Sequence, residues 1–266
     1  MSHSSTFMPS TETHTPTPPN VAKYLVATPT VRDIALHQPT AIRVFDHLGI
    51  DYCCGGNQTL ASACAAVHLD TRAVLLALEF AAGCPSLPAP DWGKASLELL
   101  CAHLVVKHHA FARRELPRLL ELSSTVLARH GGPRPELAAI HATLSQLELD
   151  TNDHLAKEES VLFPYIVNLE RSLTTPDLDP VSCYGFLPDP VALLSHDHEE
   201  VGAQLSHIRQ LSHNFTAPLG VCLTYRLFYT GLQDLERDLR QHMHLENNIL
   251  FPRAIKLEAA TAFAAA

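Results

Sequence analysis

The chain has little glycine, 11 residues in 266, and its β-branched residues occur only in short runs. Both shortages weigh against a sheet-built fold, and the abundance of Leu and Ala favours an all-α one. No stretch approaches the roughly 18 consecutive apolar residues of a membrane span. The start lacks a basic segment followed by an apolar one, so no secretory signal is expected. There is no basic stripe of the kind duplex-binding proteins carry, and the formal net charge is −9 with His neutral. Neither a membrane nor a nucleic acid is therefore expected as a partner. The 7 cysteines are odd in number and show no C-x-x-C spacing. That excludes a disulfide framework or a structural zinc site as the organising device. Reduced thiols in a cytoplasm fit better.

What the chain does have is a core and histidine. At 46% hydrophobic and 18% charged it can bury one large domain or two modest ones. Residues 1–27 are rich in Ser, Thr and Pro and read as a disordered tail, in which His3 and His14 would be solvated. Residues 28–83 read as a small helical domain. Two short helices break near Gln38-Pro39, Gly49 ends the second, and two more cover Thr59 to Ala66 and Thr71 to Ala82. Residues 84–93 form a Pro-rich linker, and 94–259 read as a bundle. Its four long helical segments span about 94–129, 135–171, 190–213 and 217–259, with short turns within each pair and a long crossover between the pairs. That pattern predicts an antiparallel four-helix bundle. Pro117, Pro164 and Pro252 should each distort its helix locally.

One pattern occurs twice: His154-x3-Glu158-x3-Leu162-Phe163-Pro164 and His242-x3-Glu246-x3-Leu250-Phe251-Pro252. His and Glu four apart share a helix face. A single such pair on a surface helix is more often structural than functional. Here both copies fall on apolar stripes. The second helix carries Leu147, His154, Glu158, Leu162 and Tyr165; the fourth carries Leu235, Leu239, His242, Glu246, Ile249 and Leu250. The third places His198 among Leu194, Val201, Leu205 and Ile208, and the first places His109 among Ala102, Val105, Ala112, Leu116 and Leu119. An unpaired buried carboxylate costs several kcal/mol, and no Lys or Arg occupies these stripes at the same level. Bound cations would resolve the conflict.

His109 and His154 are 45 residues apart, and His198 and His242 are 44 apart, so the chain reads as two similar helix pairs. Pseudo-twofold packing would bring all six groups together. Imidazole and carboxylate without thiolate favour iron or manganese and leave zinc open. His103, His108 and His196 compete with His109 and His198 as ligands. His108 and His244 are out of phase with their stripes, His196 points away from His198, and His141, His207 and His213 are expected to be exposed. Asp150, Asp197 and Glu199 stand where an orienting carboxylate could stand, with surface solvation the simpler reading for each.

These residues resemble the repair-of-iron-centres proteins, di-iron members of the hemerythrin-like superfamily. The resemblance covers about 30–255. It rests on Asp51-Tyr52-Cys53-Cys54-Gly55-Gly56, the stretch from Lys107-His108-His109 to Leu116-Pro117, Lys157-Glu158-Glu159 through Pro164, Ser195-His196-Asp197-His198-Glu199, and His242 through Glu246-Asn247-Asn248-Ile249-Leu250-Phe251-Pro252. It implies two non-haem iron ions with an oxo-type bridge, terminal ligands His109, His154, His198 and His242, and bridging carboxylates Glu158 and Glu246. It implies repair of iron–sulfur clusters damaged by nitrosative or oxidative stress, by supply of iron, with damaged iron–sulfur proteins as partners. Some members are also discussed as nitric oxide-binding or nitric oxide-reducing proteins, and a gas sensor or store is a third reading. A homodimer is compatible with the sequence, which does not specify one. Ala110-Phe111-Ala112 departs from the family, which is more polar there and carries a further His. Oxygen-carrying hemerythrins use a fifth His four residues from another on the third helix; here those neighbours of His198 are Leu194 and Gly202, which cannot ligate.

Cys53-Cys54 has two readings: a thiol site for metal handoff or client docking, or a tight turn of small buried residues. The resemblance tips the balance toward function. Cys64, Cys84, Cys101, Cys183 and Cys222 read as ordinary small apolar residues.

Overall fold

Four side-chain caps open helices where the sequence places them. The computed structural model describes residues 29–83, 90–175 and 187–264. The tail, most of the linker and of the crossover, His3, His14, Cys84 and Cys183 lie outside the described residues. Thr30 begins α1 (Val31–His37) with a reciprocal capping box to Asp33. Thr59 caps α3 (Leu60–Ala66) and Asp70 caps α4 (Thr71–Ala82). Between them α2 (Thr40–Leu48) ends at Gly49, whose φ of 71° is the left-handed conformation that glycine adopts without strain. These four helices close over a core that includes Ile34, Phe45, Ile50, Tyr52 and Leu78.

Ser96 caps the first bundle helix, α5 (Leu97–His103), which passes through a π-helical segment, Leu104–His109, into α6 (Ala110–His130). The second is α7 (Glu136–Lys157), π-helical Glu158–Leu162, then α8 (Phe163–Ser172). The third, α9 (Pro188–Leu211), is continuous. The fourth is α10 (Leu223–Leu245), π-helical Glu246–Leu250, then α11 (Phe251–Ala264). No strand occurs among the described residues; one isolated bridge joins Thr30 and Thr59. The fold is all-α, an antiparallel bundle preceded by a small helical unit.

Two of the π segments follow from proline. Phe163 N–H bonds to the Glu158 carbonyl and Phe251 N–H to that of Glu246, each five residues back. The next residue in each case, Pro164 or Pro252, has no N–H and would crowd the preceding turn of an α-helix; widening that turn relieves the clash. At Pro117, by contrast, α6 runs on without a break. Pro117 is exposed, so solvent reaches the carbonyl its missing N–H leaves unpaired. The segment Leu104–His109 has no proline behind it and was not legible.

The third connection is corrected. α9 ends at Leu211 and α10 starts only at Leu223. His213, Asn214 and Phe215 take successive left-handed φ of 50°, 56° and 57°, which ends the helix and turns Phe215 into the core. No single described helix is long and apolar enough to cross a membrane; α3 and α4 reach that composition only together, bent by 115°, with residues of both in the small core.

Along the bundle the core divides in two. Leu116, Leu119, Ile140, Leu144, Leu205 and Leu235 fill one end. Leu100, Leu104, Phe163, Ile166, Leu250 and Phe251 fill the other. On each helix a candidate ligand sits between its two apolar groups.

The small unit docks through polar groups. Buried Glu236 accepts from Arg209 Nε at 3.0 Å and Arg240 Nε at 3.2 Å. Arg209 also donates to the Asp46 carbonyl at 2.9 Å, and Arg240 lies 3.9 Å from Asp51. Glu236→Ala would leave one fully and one largely buried guanidinium without its carboxylate. It is expected to cost about 3–5 kcal/mol in denaturant unfolding; a loss within error of zero would contradict the network's role.

Cys222 is not the ordinary apolar residue expected. Cys64 and Cys101 are buried in the cores, but Cys222 is half-buried, with Sγ 3.5 Å from His130 Nε2. That hydrogen bond holds its thiol down at about 7. Near pH 7 Cys222 should alkylate ahead of buried Cys53, Cys64 and Cys101. Peptide mapping should show its rate falling as pH drops through about 7, and falling also in His130→Ala. Prior labelling of Cys64 would count against it.

Candidate metal centre

The four stripes converge on four imidazoles and two carboxylates. His154 Nε2 lies 2.9 Å from His198 Nε2 and 3.1 Å from Glu158 Oε1. His198 Nε2 lies 3.2 Å from Glu246 Oε2. Beside this group, His109 Nε2 lies 3.2 Å from His242 Nε2 and 3.5 Å from Glu158 Oε2. His242 Nε2 lies 3.0 Å from Glu246 Oε1. Each carboxylate therefore turns one oxygen to each pair of imidazoles. The ligand atoms form two groups, His109/Glu158/His242/Glu246 and His154/Glu158/His198/Glu246, each with its atoms within 4.8 Å of one another. Each group takes one His from each half of the bundle, which spacing alone did not reveal.

The donor set fits a pair of cations. Donors about 2.1 Å from a common ion at right angles stand about 3.0 Å apart, which is the spacing seen here. All four oxygens of Glu158 and Glu246 are buried, and no well-aligned hydrogen bond reaches them. A neutral imidazole cannot satisfy an oxygen with a lone pair, and buried polar atoms normally have partners. No Lys or Arg approaches either carboxylate among the described ion pairs.

Comparison with known proteins agrees with this geometry. Residues 102–254 match the hemerythrin HHE cation binding domain. Residues 27–82 match ScdA_N, described as a domain of unknown function (DUF542). The iron-sulfur cluster repair protein YtfE of Edwardsiella ictaluri (strain 93-146) is 36% identical over 225 residues, 84% of this chain and 95% of the relative. The protein of the same name from Yersinia pseudotuberculosis serotype O:1b (strain IP 31758) is 33% identical over 225 residues, 85% of this chain and 96% of the relative. That of Pectobacterium carotovorum subsp. carotovorum (strain PC1) is 32% identical over 233 residues, with 85% and 96% covered. The chain belongs to the repair-of-iron-centres family. Its His/Glu cluster, lying within the matched hemerythrin domain, is of the kind that binds non-haem iron.

Several residues set aside in the sequence belong to this family member's centre or its surroundings. His108 is buried, with Nδ1 3.1 Å from Asp238 Oδ2 and its ring stacked 5.9 Å from that of His242. His244 is buried too: its Nδ1 accepts from Asn248 at 2.8 Å, and its ring meets Tyr52 edge-on. Burial pushes its pKa down to about 4, which keeps it neutral and able to accept. His244 lies in regular helix before the third π segment and is covered by Tyr52 of the small unit, whereas His108 lies inside the first π segment. An added residue per turn rotates the helix, so phase read at 3.6 residues fails there. The same rotation exposes Ala102 and buries Leu104. His141 is half-buried, with Nδ1 2.6 Å from the Ser123 hydroxyl. His207 and His213 are exposed, as is His196, which pairs loosely with Glu199 and Glu200.

The outer nitrogens of the imidazoles have their own partners. His109 Nδ1 meets Glu159 Oε1 at 2.7 Å, and Arg113 holds the same oxygen. His198 Nδ1 meets Asn247 Oδ1 at 2.9 Å. Glu159 and Asn247 were both missed, although the signal was present: each directly follows the repeated Glu. Asp197 is corrected from solvated to structural, 3.3 Å from His154 Nδ1 and 3.4 Å from Lys157 Nζ. Asp150 instead accepts from Gln146 and Gln204, and Glu199 stays exposed. Cys53 is buried and Cys54 half-buried. Cys54 Sγ points to the His198 carbonyl at 3.4 Å, and the Asp51 carboxylate accepts from the backbone N–H groups of Cys53, Cys54 and Gly55. Burial and a thiol contact from Cys54 push the Cys53 thiol well up.

Electrostatics set a testable sign. Burial opposes charge on His154, but the Glu158 and Glu246 carboxylates outweigh it and raise its pKa to about 9. At pH 7 the metal-free ring is therefore protonated, whereas ligation requires the neutral form. Anaerobic ferrous loading at pH 7 is expected to release protons, read by calorimetry in buffers of different ionisation enthalpy. Proton-neutral loading would contradict the assigned charge.

Proposed function

We propose that this chain holds two non-haem irons between His109, His154, His198, His242 and the bridging carboxylates Glu158 and Glu246, and uses them to repair iron–sulfur clusters damaged by nitrosative or oxidative stress. The observation that carries the reading is the division of each carboxylate's oxygens between two imidazole pairs. Relatives named for iron–sulfur cluster repair, similar over most of their length, support the same role. Bound iron supplies Lewis acidity, redox chemistry and transferable metal. The chain's residues do the rest. Four imidazoles compete with protons for their lone pairs, so occupancy depends on pH. No thiolate contributes a soft ligand to the cluster, which suits a centre that exchanges its iron rather than one that locks it in. The apolar groups at both ends of the bundle restrict water and fix the rotamers. Damaged iron–sulfur proteins of a cytoplasm are the partners in this reading.

The purified protein, reconstituted anaerobically, should hold about two irons per chain. Glu158→Gln and Glu246→Gln, which keep side-chain shape, should each lose most of that iron with helicity retained. Nitric oxide-damaged aconitase should recover activity with the iron-loaded wild type and not with either variant. A wild type that stays iron-free ends the metal reading. Steady nitrous oxide formation under a reductant, with no aconitase recovery, ends the repair reading in favour of a nitric oxide-reducing enzyme.

A further inference from the structure

Two consecutive side-chain amides of the fourth bundle helix reach two consecutive carbonyls of the Cys-Cys turn. Asn247 Nδ2 donates to the Cys53 carbonyl at 3.3 Å, and Asn248 Nδ2 donates to that of Tyr52 at 3.0 Å. Arg32 of α1 returns a bond to the Asn248 carbonyl at 3.3 Å. Asn247 directly follows Glu246, and its Oδ1 faces His198 Nδ1 at 2.9 Å. An amide oxygen only accepts, so His198 donates from Nδ1 and keeps its Nε2 lone pair free. Reversing the amide would set its oxygen against the Cys53 carbonyl oxygen and its NH₂ against the ring N–H. The turn, together with the Ser195 hydroxyl that donates to Oδ1 at 3.4 Å, thus decides which end of Asn247 meets the histidine. His109 and His154 take their outer partners from carboxylates within the bundle, Glu159 and Asp197. Among the described residues, the support of His198 alone is tied to the small domain.

We propose that Asn247 is a positioning residue, held by the Cys53 carbonyl, that fixes the His198 ring with Nε2 toward the metal pair, so that the small domain completes the metal centre through its backbone rather than its thiols. This rests on the metal reading above. The thiols have other partners: Cys53 Sγ donates to Asp51 at 3.2 Å, and Cys54 Sγ points to the His198 carbonyl at 3.4 Å and meets Asn247 Nδ2 only at a long 4.0 Å. The turn itself is tight. A Cβ on Gly56 would stand 2.9 Å from the Tyr52 carbonyl oxygen and 3.0 Å from Arg32 Cβ, so any side chain there shifts the carbonyls that hold the two amides.

The test reads the full-length protein in two ways: imidazole ¹⁵N spectra of the metal-free form, and the rate of iron loss from the loaded form to a ferrous chelator. Removal of a histidine's outer partner typically weakens metal binding about 10–100-fold. Asn247→Leu should therefore speed loss of part of the iron by about tenfold or more and abolish the Nδ1–H preference of His198. Asn247→Asp, which still accepts from His198 but cannot donate to the Cys53 carbonyl, should restore the Nδ1–H preference while iron loss stays faster than wild type. Cys53→Ser and Cys54→Ser should behave as wild type. Gly56→Ala should speed iron loss in the wild-type background and add nothing to Asn247→Leu, the non-additivity of a shared path. The proposal fails if Asn247→Leu keeps both the wild-type rate and the His198 tautomer, if either serine variant reproduces Asn247→Leu, or if Gly56→Ala and Asn247→Leu are additive. A wild type without iron would sink the metal reading, and the metal-free spectra would still judge Asn247.

Discussion

Glu158 and Glu246 put four carboxylate oxygens into a space sealed by apolar side chains at both ends, and no Lys or Arg follows them. Two buried carboxylates that share no more than a protonated imidazole remain short of positive charge, and an unbalanced buried charge costs several kcal/mol. Much of the bundle can be understood as the arrangement that lets bound metal settle that imbalance. Each of the four helices contributes an imidazole at the same level. The two Glu-bearing helices widen into π turns beginning at the Glu, and the first helix widens into one that ends on His109. Widened turns weaken a helix locally and are common at functional sites. Here they let His and Glu of one helix converge, while the flanking residues turn outward to Nδ1 atoms of the neighbouring helix.

The pairing of imidazoles bears on how the two halves work together. Had each half built its own site, His109 would pair with His154 and His198 with His242. Instead His109 faces His242 and His154 faces His198. Neither half holds a complete set of donors, so filling either group requires the halves to be docked. The two carboxylates add a second tie, since each belongs to both groups. Metal binding and bundle closure are thereby linked, in the sense that ligation free energy is also folding free energy.

Sequence reading anticipated the features whose signal is a repeat or a period: the helical segments of the small unit, four long bundle helices, and six polar residues at matching levels of four stripes. It failed where periodicity itself breaks. His108 looked out of phase because it lies inside a turn of changed pitch, and His244 because Tyr52 of the small domain covers a face that its own helix would leave to solvent. Pro164 and Pro252 announced two of these changes; nothing announced the one at Leu104–His109. Asn247, Glu159 and Asp197 were obscured for another reason. A polar residue beside a ligand reads as solvated unless its partner on another helix is known, and that partner is a matter of tertiary packing. Cys222 and His130 meet across helix ends 92 residues apart in the chain, beyond any local pattern.

The small domain changes meaning once its contacts are followed. Adjacent cysteines beside two glycines invite a reading in terms of thiol chemistry, but the structure spends the turn on its carbonyls. Asp51 gathers the backbone N–H groups of Cys53, Cys54 and Gly55, which leaves the carbonyls of Tyr52 and Cys53 facing the fourth helix at the two residues after Glu246. Buried Glu236 and Arg240, about two to three turns earlier on that helix, and Arg209 of α9 secure the same interface through Asp46 and Asp51. The domain is thus anchored both beside the ligands and away from them. A displacement of the turn by even a few tenths of an ångström would be felt at the Asn247 amide, because hydrogen bonds lose strength steeply with misalignment. A partner that engaged the small domain would then have a mechanical route to His198 without entering the bundle.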